Sequence, residues 1–359
     1  MASYMLDRLT VMVVEDSAFV RSLLCSVMHA IGISHTITAE NGEDAIQRMD
    51  MMRTSPQRAG VSKIDLIFSD IVMPKVDGLM LLRWTRLHGN SPDRFMPVIM
   101  LSAASDKDVV EASRDAGASE FVAKPFSAQT IAKRLLSVID SPRDFIYCPT
   151  YFGPDRRRRQ FEIDFKDRRL TTKDDIRFIY AEQPPRPFRP NGPKVWCFKL
   201  PNALRGKVGG QHGQEGSIDP KVLMEADEEI GSKVHDYAEW VRDTVRQLQY
   251  GVKQCFADPN RARSHYVRIN KIALELRGQG GMFDYPLIST VGKSLYEYTL
   301  PGAVTSIDVN HIELVKAHVD MIAAVIRDRI NGDGGNVGAE LLLSLEHAKK
   351  KYARTPNAA

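Results

Sequence analysis

Between residues 9 and 140 the chain alternates short apolar runs with stretches of helical spacing, five times over. The runs are "LTVMVV" (9–14), "SHTITA" (34–39), "DLIFS" (65–69), "PVIMLS" (97–102) and "EFVAK" (120–124). Apolar residues at intervals of three and four follow each one, near 17–30, 42–52, 79–88, 106–116 and 127–139. Strands that are apolar along nearly their whole length need cover on both faces. Consecutive βα units provide it as a parallel sheet with helices on either side. The alternation therefore predicts a five-stranded, parallel, doubly wound α/β domain. In such a sheet ligands sit outside the carboxyl ends of the strands, where the strand order reverses. The interval 53–64 reads as a longer surface loop.

The residues at those ends are polar. The first strand runs into Glu15-Asp16, the third into Asp70, the fourth into Ser102 and the fifth into Lys124-Pro125. Glu15-Asp16 alone could cap a helix starting near Ser17, and "MPKVDG" alone could be a turn. Together at one sheet edge they have a different meaning. Three carboxylates packed side by side repel one another unless a cation lies among them, and oxygen ligands of this kind suit Mg²⁺. A lysine and a hydroxyl nearby can take phosphate oxygens. A carboxylate nucleophile, a metal and an opposing cation are what phosphoryl transfer to an aspartate requires.

In order and spacing, "VVEDS", "FSDIVMPKVDGL", "IMLSAAS" and "FVAKPF" resemble the flavodoxin-like receiver domain of two-component response regulators, over residues 8–140. The resemblance implies a phosphoacceptor at Asp70. It implies Mg²⁺ ligation by Asp16 and Asp70, with Glu15 acting mainly through water and the Val72 backbone carbonyl completing the set. Lys124 and Ser102 would contact the phosphoryl group, Phe121 would be the aromatic switch, and Pro125 would follow a cis peptide bond. A sensor histidine kinase or a phosphotransfer protein is the implied donor, and the receiver would catalyse its own phosphorylation and dephosphorylation.

The remainder divides into a linker and a helical part. Residues 141–217 carry "EQPPRPFRPNGP" and "GKVGGQHGQEG", the composition of a partly extended or disordered segment. Residues 218–359 read as an all-α bundle, with apolar residues spaced at three and four and short connections favouring antiparallel neighbours. Within it, "NKIALELRGQGGMFDYPLIS" (270–289) resembles histidine-phosphotransfer domains. Aligning Leu276-Arg277-Gly278 with their Leu-Lys-Gly step puts Leu274 where the histidine belongs. Gly278, Gly280 and Gly281 still permit close helix packing. His265 lies nine residues away, and His311 and His318 share a face of another helix. None is expected to carry phosphate. The expected role of this part is binding a downstream signalling protein, or a second copy of the chain as a homodimer.

Arg156–Arg159 in "FGPDRRRR" and the later "DRR" (167–169) invite a nucleic-acid reading. Asp155, Asp164 and Asp167 interrupt the charge, and no helix-turn-helix pattern or zinc ligands accompany it. A run solvated or paired with acids of the receiver or the bundle is the preferred reading, and nucleic acid is not an expected partner. A DNA-binding transcriptional regulator and a phosphate sink stay open as alternatives. Four cysteines, none in a CxxC pair, argue for a reducing compartment and against a disulfide framework or zinc site. No run is apolar enough to span a bilayer and the first residues lack a signal-peptide core, so a cytoplasmic protein without membrane insertion is expected.

Overall fold

The computed structural model describes residues 2–55, 63–103, 107–156, 176–180, 194–211, 213–300, 302 and 307–352. The chain divides into two compact units, Met1–Val122 with Ala128–Asp227, and Ala123–Ser127 with Glu228–Ala359.

Five strands and five helices alternate at the start: β1 (Thr10–Val14), α1 (Ala18–Ala30), β2 (His35–Ala39), α2 (Gly42–Thr54), β3 (Leu66–Asp70), α3 (Gly78–Leu87), β4 (Val98–Ser102), α4 (Lys107–Asp115), β5 (Glu120–Ala123) and α5 (Ala128–Asp140). The strands form one sheet in the order β2-β1-β3-β4-β5, parallel in register from Val11 opposite Leu66 to Asp70 opposite Leu101. Every residue of β1, β3 and β4 is buried, which is why these runs show no polar alternation. Each buried Leu, Ile or Val contributes about 1.5–3 kcal/mol. The five predicted strands and helices are thus present. The central part of the predicted 53–64 loop lies outside the described residues.

The interval 141–217 holds more order than its composition suggests. Strands β6 (Phe145–Cys148), β7 (Tyr151–Pro154), β8 (Ile176–Ile179) and β9 (Val195–Phe198) make a second sheet in the order β7-β6-β9-β8. Here β6 is antiparallel to β7 and β9, and β9 is parallel to β8. Phe145, Phe152, Trp196 and Phe198 form its core, with Phe95 packed against them. The Phe95 ring lies 5.1–5.3 Å from those of Phe145, Phe152 and Phe198, at edge-on angles. Each of these strands is four residues long, too short for a periodic signal between Pro- and Gly-rich stretches. A short helix, α6 (Ala203–Lys207), adds a tie: Lys207 Nζ lies 2.6 Å from Asp65 Oδ2, which also accepts the Thr10 amide at 2.7 Å.

After α7 (Pro220–Ser232) come α8 (Val234–Ala257), α9 (Ala262–Gln279), α10 (Pro286–Tyr298), α11 (Val309–Arg327) and α12 (Gly335–Tyr352). Helix α8 packs on α9, α9 on α10, α10 on α11 and α11 back on α8, closing a four-helix ring, while α12 lies against α11. Pro286 opens α10 at a position where the missing amide costs nothing. Asp308 caps α11 by accepting the His311 amide at 2.9 Å. Inside the ring Tyr237 stacks on Phe283 with centroids 4.5 Å apart. The predicted closeness around the glycines is visible at Gly280, where a Cβ would meet the Tyr285 carbonyl at 2.5 Å. No described helix is long and apolar enough to cross a membrane.

Candidate functional site

The strand order reverses at β1, with β2 on one side and β3 on the other. A crevice therefore opens between the carboxyl ends of β1 and β3. Glu15 and Asp16 follow β1 directly, and Asp70 is the last residue of β3. One carboxylate oxygen from each lies within 4.8 Å of the other two. Glu15 and Asp70 are buried and Asp16 is half-buried. Local hydrogen bonds hold the cluster. Asp70 Oδ1 accepts the Ile71 amide at 2.7 Å, and Glu15 Oε1 accepts the Ser17 amide at 3.3 Å. The side-chain cap of α1 is Ser17, which accepts the Val20 amide. Capping therefore does not account for the two acids before it.

Three carboxylates this close, two of them withdrawn from water, carry a mutual repulsion that a divalent cation offsets. Their oxygens are hard donors, the kind that Mg²⁺ takes. The donor set fits that ion.

The other predicted residues lie within a strand or just beyond one. Ser102 ends β4 and is buried; Lys124 follows β5 and is buried; Phe121 lies in β5, half-buried. The Lys124–Pro125 peptide bond is cis. Val72 lies two residues beyond β3 with its side chain exposed. The turn that follows closes through Gly78, whose amide donates to the Ile71 carbonyl at 2.9 Å, and through Asp77, which caps α3 by accepting the Met80 amide at 2.7 Å.

One contributor escaped the sequence reading. Arg21, one turn into α1, donates through Nη1 to the Glu15 carbonyl at 2.7 Å and the Asp16 carbonyl at 3.4 Å. It fastens the backbone that presents both acids. Its only signal was an arginine five residues after Asp16, a spacing common on any helix.

In the helical unit Leu274 is buried within α9. His265 is half-buried on the same helix. His311 is engaged in the cap, its Nδ1 2.7 Å from Asp308 Oδ1. His318 is fully buried. Its Nδ1 lies 2.7 Å from the Leu314 carbonyl, which only accepts, so this nitrogen carries the proton. Nε2, 2.9 Å from Ser294 Oγ, then accepts the hydroxyl proton. Burial pushes the imidazole down to about 4. The unfolded chain binds this proton below about pH 6.5 and the folded chain resists until about pH 4, so stability falls as pH drops through that window. Between pH 7.5 and 5 the expected loss from this residue is about 2 kcal/mol. Urea unfolding of the wild type and of His318→Gln at both pH values measures it. Equal pH sensitivity in the two proteins would show that His318 is charged in the fold.

A family model, the response regulator receiver domain, matches residues 11–136. A "probable transcriptional regulatory protein" of Picosynechococcus sp. is 31% identical over 130 residues, which cover 36% of this chain and 48% of that protein. The transcriptional regulatory protein PdtaR of Mycobacterium tuberculosis is 30% identical over 117 residues, 33% of this chain and 50% of that protein. The chain thus spans about half the length of the curated relatives it matches. Among solved structures, a chain of the CheX-CheY-BeF3-Mg+2 complex of Borrelia burgdorferi is 30% identical, with 36% of this chain and 88% of that chain covered and a TM-score of 0.30. With an acidic pocket of Glu15, Asp16 and Asp70 at the switch in strand order, residues 11–136 belong to the response regulator receiver domain family, and a helical region follows them.

Proposed function

We propose that the chain is a phosphorylation-controlled adaptor of a two-component phosphorelay. The observation that carries this reading is the convergence of Glu15, Asp16 and Asp70 within 4.8 Å at the reversal in strand order. An Asp70 oxygen attacks the phosphorus of a phosphohistidine on a sensor kinase or phosphotransfer protein. The P–N bond breaks, the electron pair returns to the imidazole, and an acyl phosphate forms. When bound by Asp16 and Asp70, with Glu15 beside them and the Val72 carbonyl completing the set, Mg²⁺ offsets the charge that gathers during transfer. Lys124 pairs with the transferred group and Ser102 donates a hydrogen bond to it. The product adds about −1.5 to −2 charges to the strand ends. Ser102 and Lys124 move toward that charge, and Phe121 turns inward to follow.

The helical region, resembling a phosphotransfer bundle with leucine in place of histidine, binds the downstream signalling protein or a second copy of this chain. The names of the curated relatives favour a second reading, a transcriptional regulator whose basic segment contacts DNA. A salt-dependent shift of random duplex DNA would select it.

Incubation with labelled acetyl phosphate and Mg²⁺ tests the assignment. The wild type is expected to take up label that hydroxylamine releases, with the signal lost in Asp70→Asn and on adding EDTA. Equal labelling of wild type and Asp70→Asn refutes it.

A further inference from the structure

A cavity of about 410 Å³ opens between α4, β5 and α5. Arg114, Arg134, Arg143 and Arg156 line it, with Glu120 as the one acid in its wall. Arg114 lies in the last turn of α4, Arg134 lies in the middle of α5, and Arg143 and Arg156 flank the β6–β7 hairpin.

The acids nearby are already engaged. Glu120 is buried and accepts from Arg134 Nη1 at 3.2 Å and from the Ser137 hydroxyl at 3.1 Å. Asp115 accepts from Arg114 Nε at 3.2 Å and Arg156 Nη1 at 3.0 Å, and the two arginines hold its carboxyl below the usual range. With the flanking Asp115 and Asp155 counted beside Glu120, arginines still outnumber acids, four to three.

At least two of the guanidinium groups are fixed in place. Arg143 donates to the backbone carbonyls of Ala118, Ser119 and Asp155. Arg156 sits over the Tyr151 ring, 4.8 Å from its centroid. Arg134 Nε is buried with no acceptor among the described residues.

We propose that this cavity binds a small phosphate-bearing anion. A guanidinium fork pairs two N–H groups with two oxygens, a match that carboxylate and phosphate share. A planar carboxylate meets such forks from few directions, whereas a tetrahedral phosphate accepts from several at once. Four arginines arriving from α4, α5 and both sides of a hairpin fit the tetrahedral anion. The volume exceeds that of one phosphate group, and Val110 and Phe121 supply apolar wall for an organic part. Phe121 is also the aromatic of the proposed switch. If that reading holds, ligand and phosphoryl group bias the same ring and each changes the affinity for the other by one factor. Binding itself does not depend on it.

Calorimetric titration of the full chain with pyrophosphate, inorganic phosphate and AMP, in about 100 mM NaCl to screen loose surface association, tests the site. EDTA in the buffer keeps cation-dependent binding at Glu15, Asp16 and Asp70 out of the signal. Saturable binding is expected, weakened at least tenfold in Arg114→Gln/Arg156→Gln and unaltered in Asp70→Asn. Both arginine side chains are nearly half exposed, so the double variant should fold, and circular dichroism checks this. Tighter binding of AMP than of inorganic phosphate assigns the site to phosphate esters; the reverse order assigns it to free phosphate. Absence of saturable binding by all three, or equal affinity in the double variant, overturns the proposal. Acetyl phosphate labelling of the double variant is read separately, so a failed anion site leaves the Asp70 assignment standing.

Discussion

Replacing Arg86 by alanine is expected to cost the first unit about 4 kcal/mol, through a cavity and a set of carbonyls left without donors. Arg86 is 1% exposed and the largest fully buried side chain described. Its Nε donates to the Gly117 carbonyl at 3.0 Å, and Nη1 donates to those of Arg94 and Met96 at 3.0 and 2.7 Å. The guanidinium lies 5.2 Å from the centroid of the Phe145 ring. Burial pulls it down to about 10, which still leaves it charged at neutral pH.

A buried cation alone is a poor source of stability, because desolvation opposes its gains. What Arg86 provides is donors to three carbonyls in two loops that have no strand partner to serve them. Two variants separate the effects. Arg86→Met fills the volume and removes the buried charge but leaves the carbonyls orphaned; about 2 kcal/mol should be lost. Arg86→Ala adds the cavity and loses about twice that. The measurement is the urea midpoint, which should fall by about 1 M or more for alanine. Wild-type stability in Arg86→Met would show that the loops hold their shape without the guanidinium.

Gly78→Ala should damage stability and the proposed chemistry together. A Cβ at Gly78 would lie 1.9 Å from the Asp70 carbonyl oxygen and 2.9 Å from its carbon. No rotamer relieves that contact, since both partners are backbone. The Asp70 carbonyl has little room to retreat: it accepts the Ser69 hydroxyl at 2.9 Å, and the residue is in register with Leu101 of β4. Either the turn between Ile71 and Gly78 opens or the end of β3 moves. Overpacking of this kind costs about 1–3 kcal/mol. A shift of about 1 Å at a reacting group can lower a rate about a hundredfold, so acetyl phosphate labelling should drop far more than stability does. Gly89→Ala is the control. Nothing lies within 4 Å of a Cβ there, and the expected change is within about 0.5 kcal/mol. Wild-type labelling by Gly78→Ala would show that the Asp70 backbone yields without moving the carboxylate.

Much of the first unit was legible because local rules and global packing agree there. A strand buried on both faces is apolar along nearly its whole length, so "DLIFS" shows itself, and the acid that ends it stands out for the same reason. The bundle helices were equally open to reading, each burying one face at a period near 3.6 residues. The second sheet was not. Its strands are four residues long, and Phe145, Phe152, Trp196 and Phe198 become a core only when Phe95 joins them from about 50 or more residues away. Arg86 was hidden because a lone arginine on an amphipathic helix normally faces water. Only the approach of the 94–96 and 117 carbonyls makes it internal.

By itself, then, the sequence determined which segments of residues 9–140 and of the helical region are strands and helices, which strand ends carry acids, and that position 274 is a leucine. Those properties follow from side-chain chemistry, from continuous apolar runs and from a period near 3.6 residues, which are written along the chain. The tertiary structure alone decided that β1 lies between β2 and β3, that three carboxylates from two strand ends meet, and that four arginines from separate elements share one cavity. Such proximities arise from long-range packing, where the partners are chosen by shape and by the satisfaction of buried polar groups, and no local period records them.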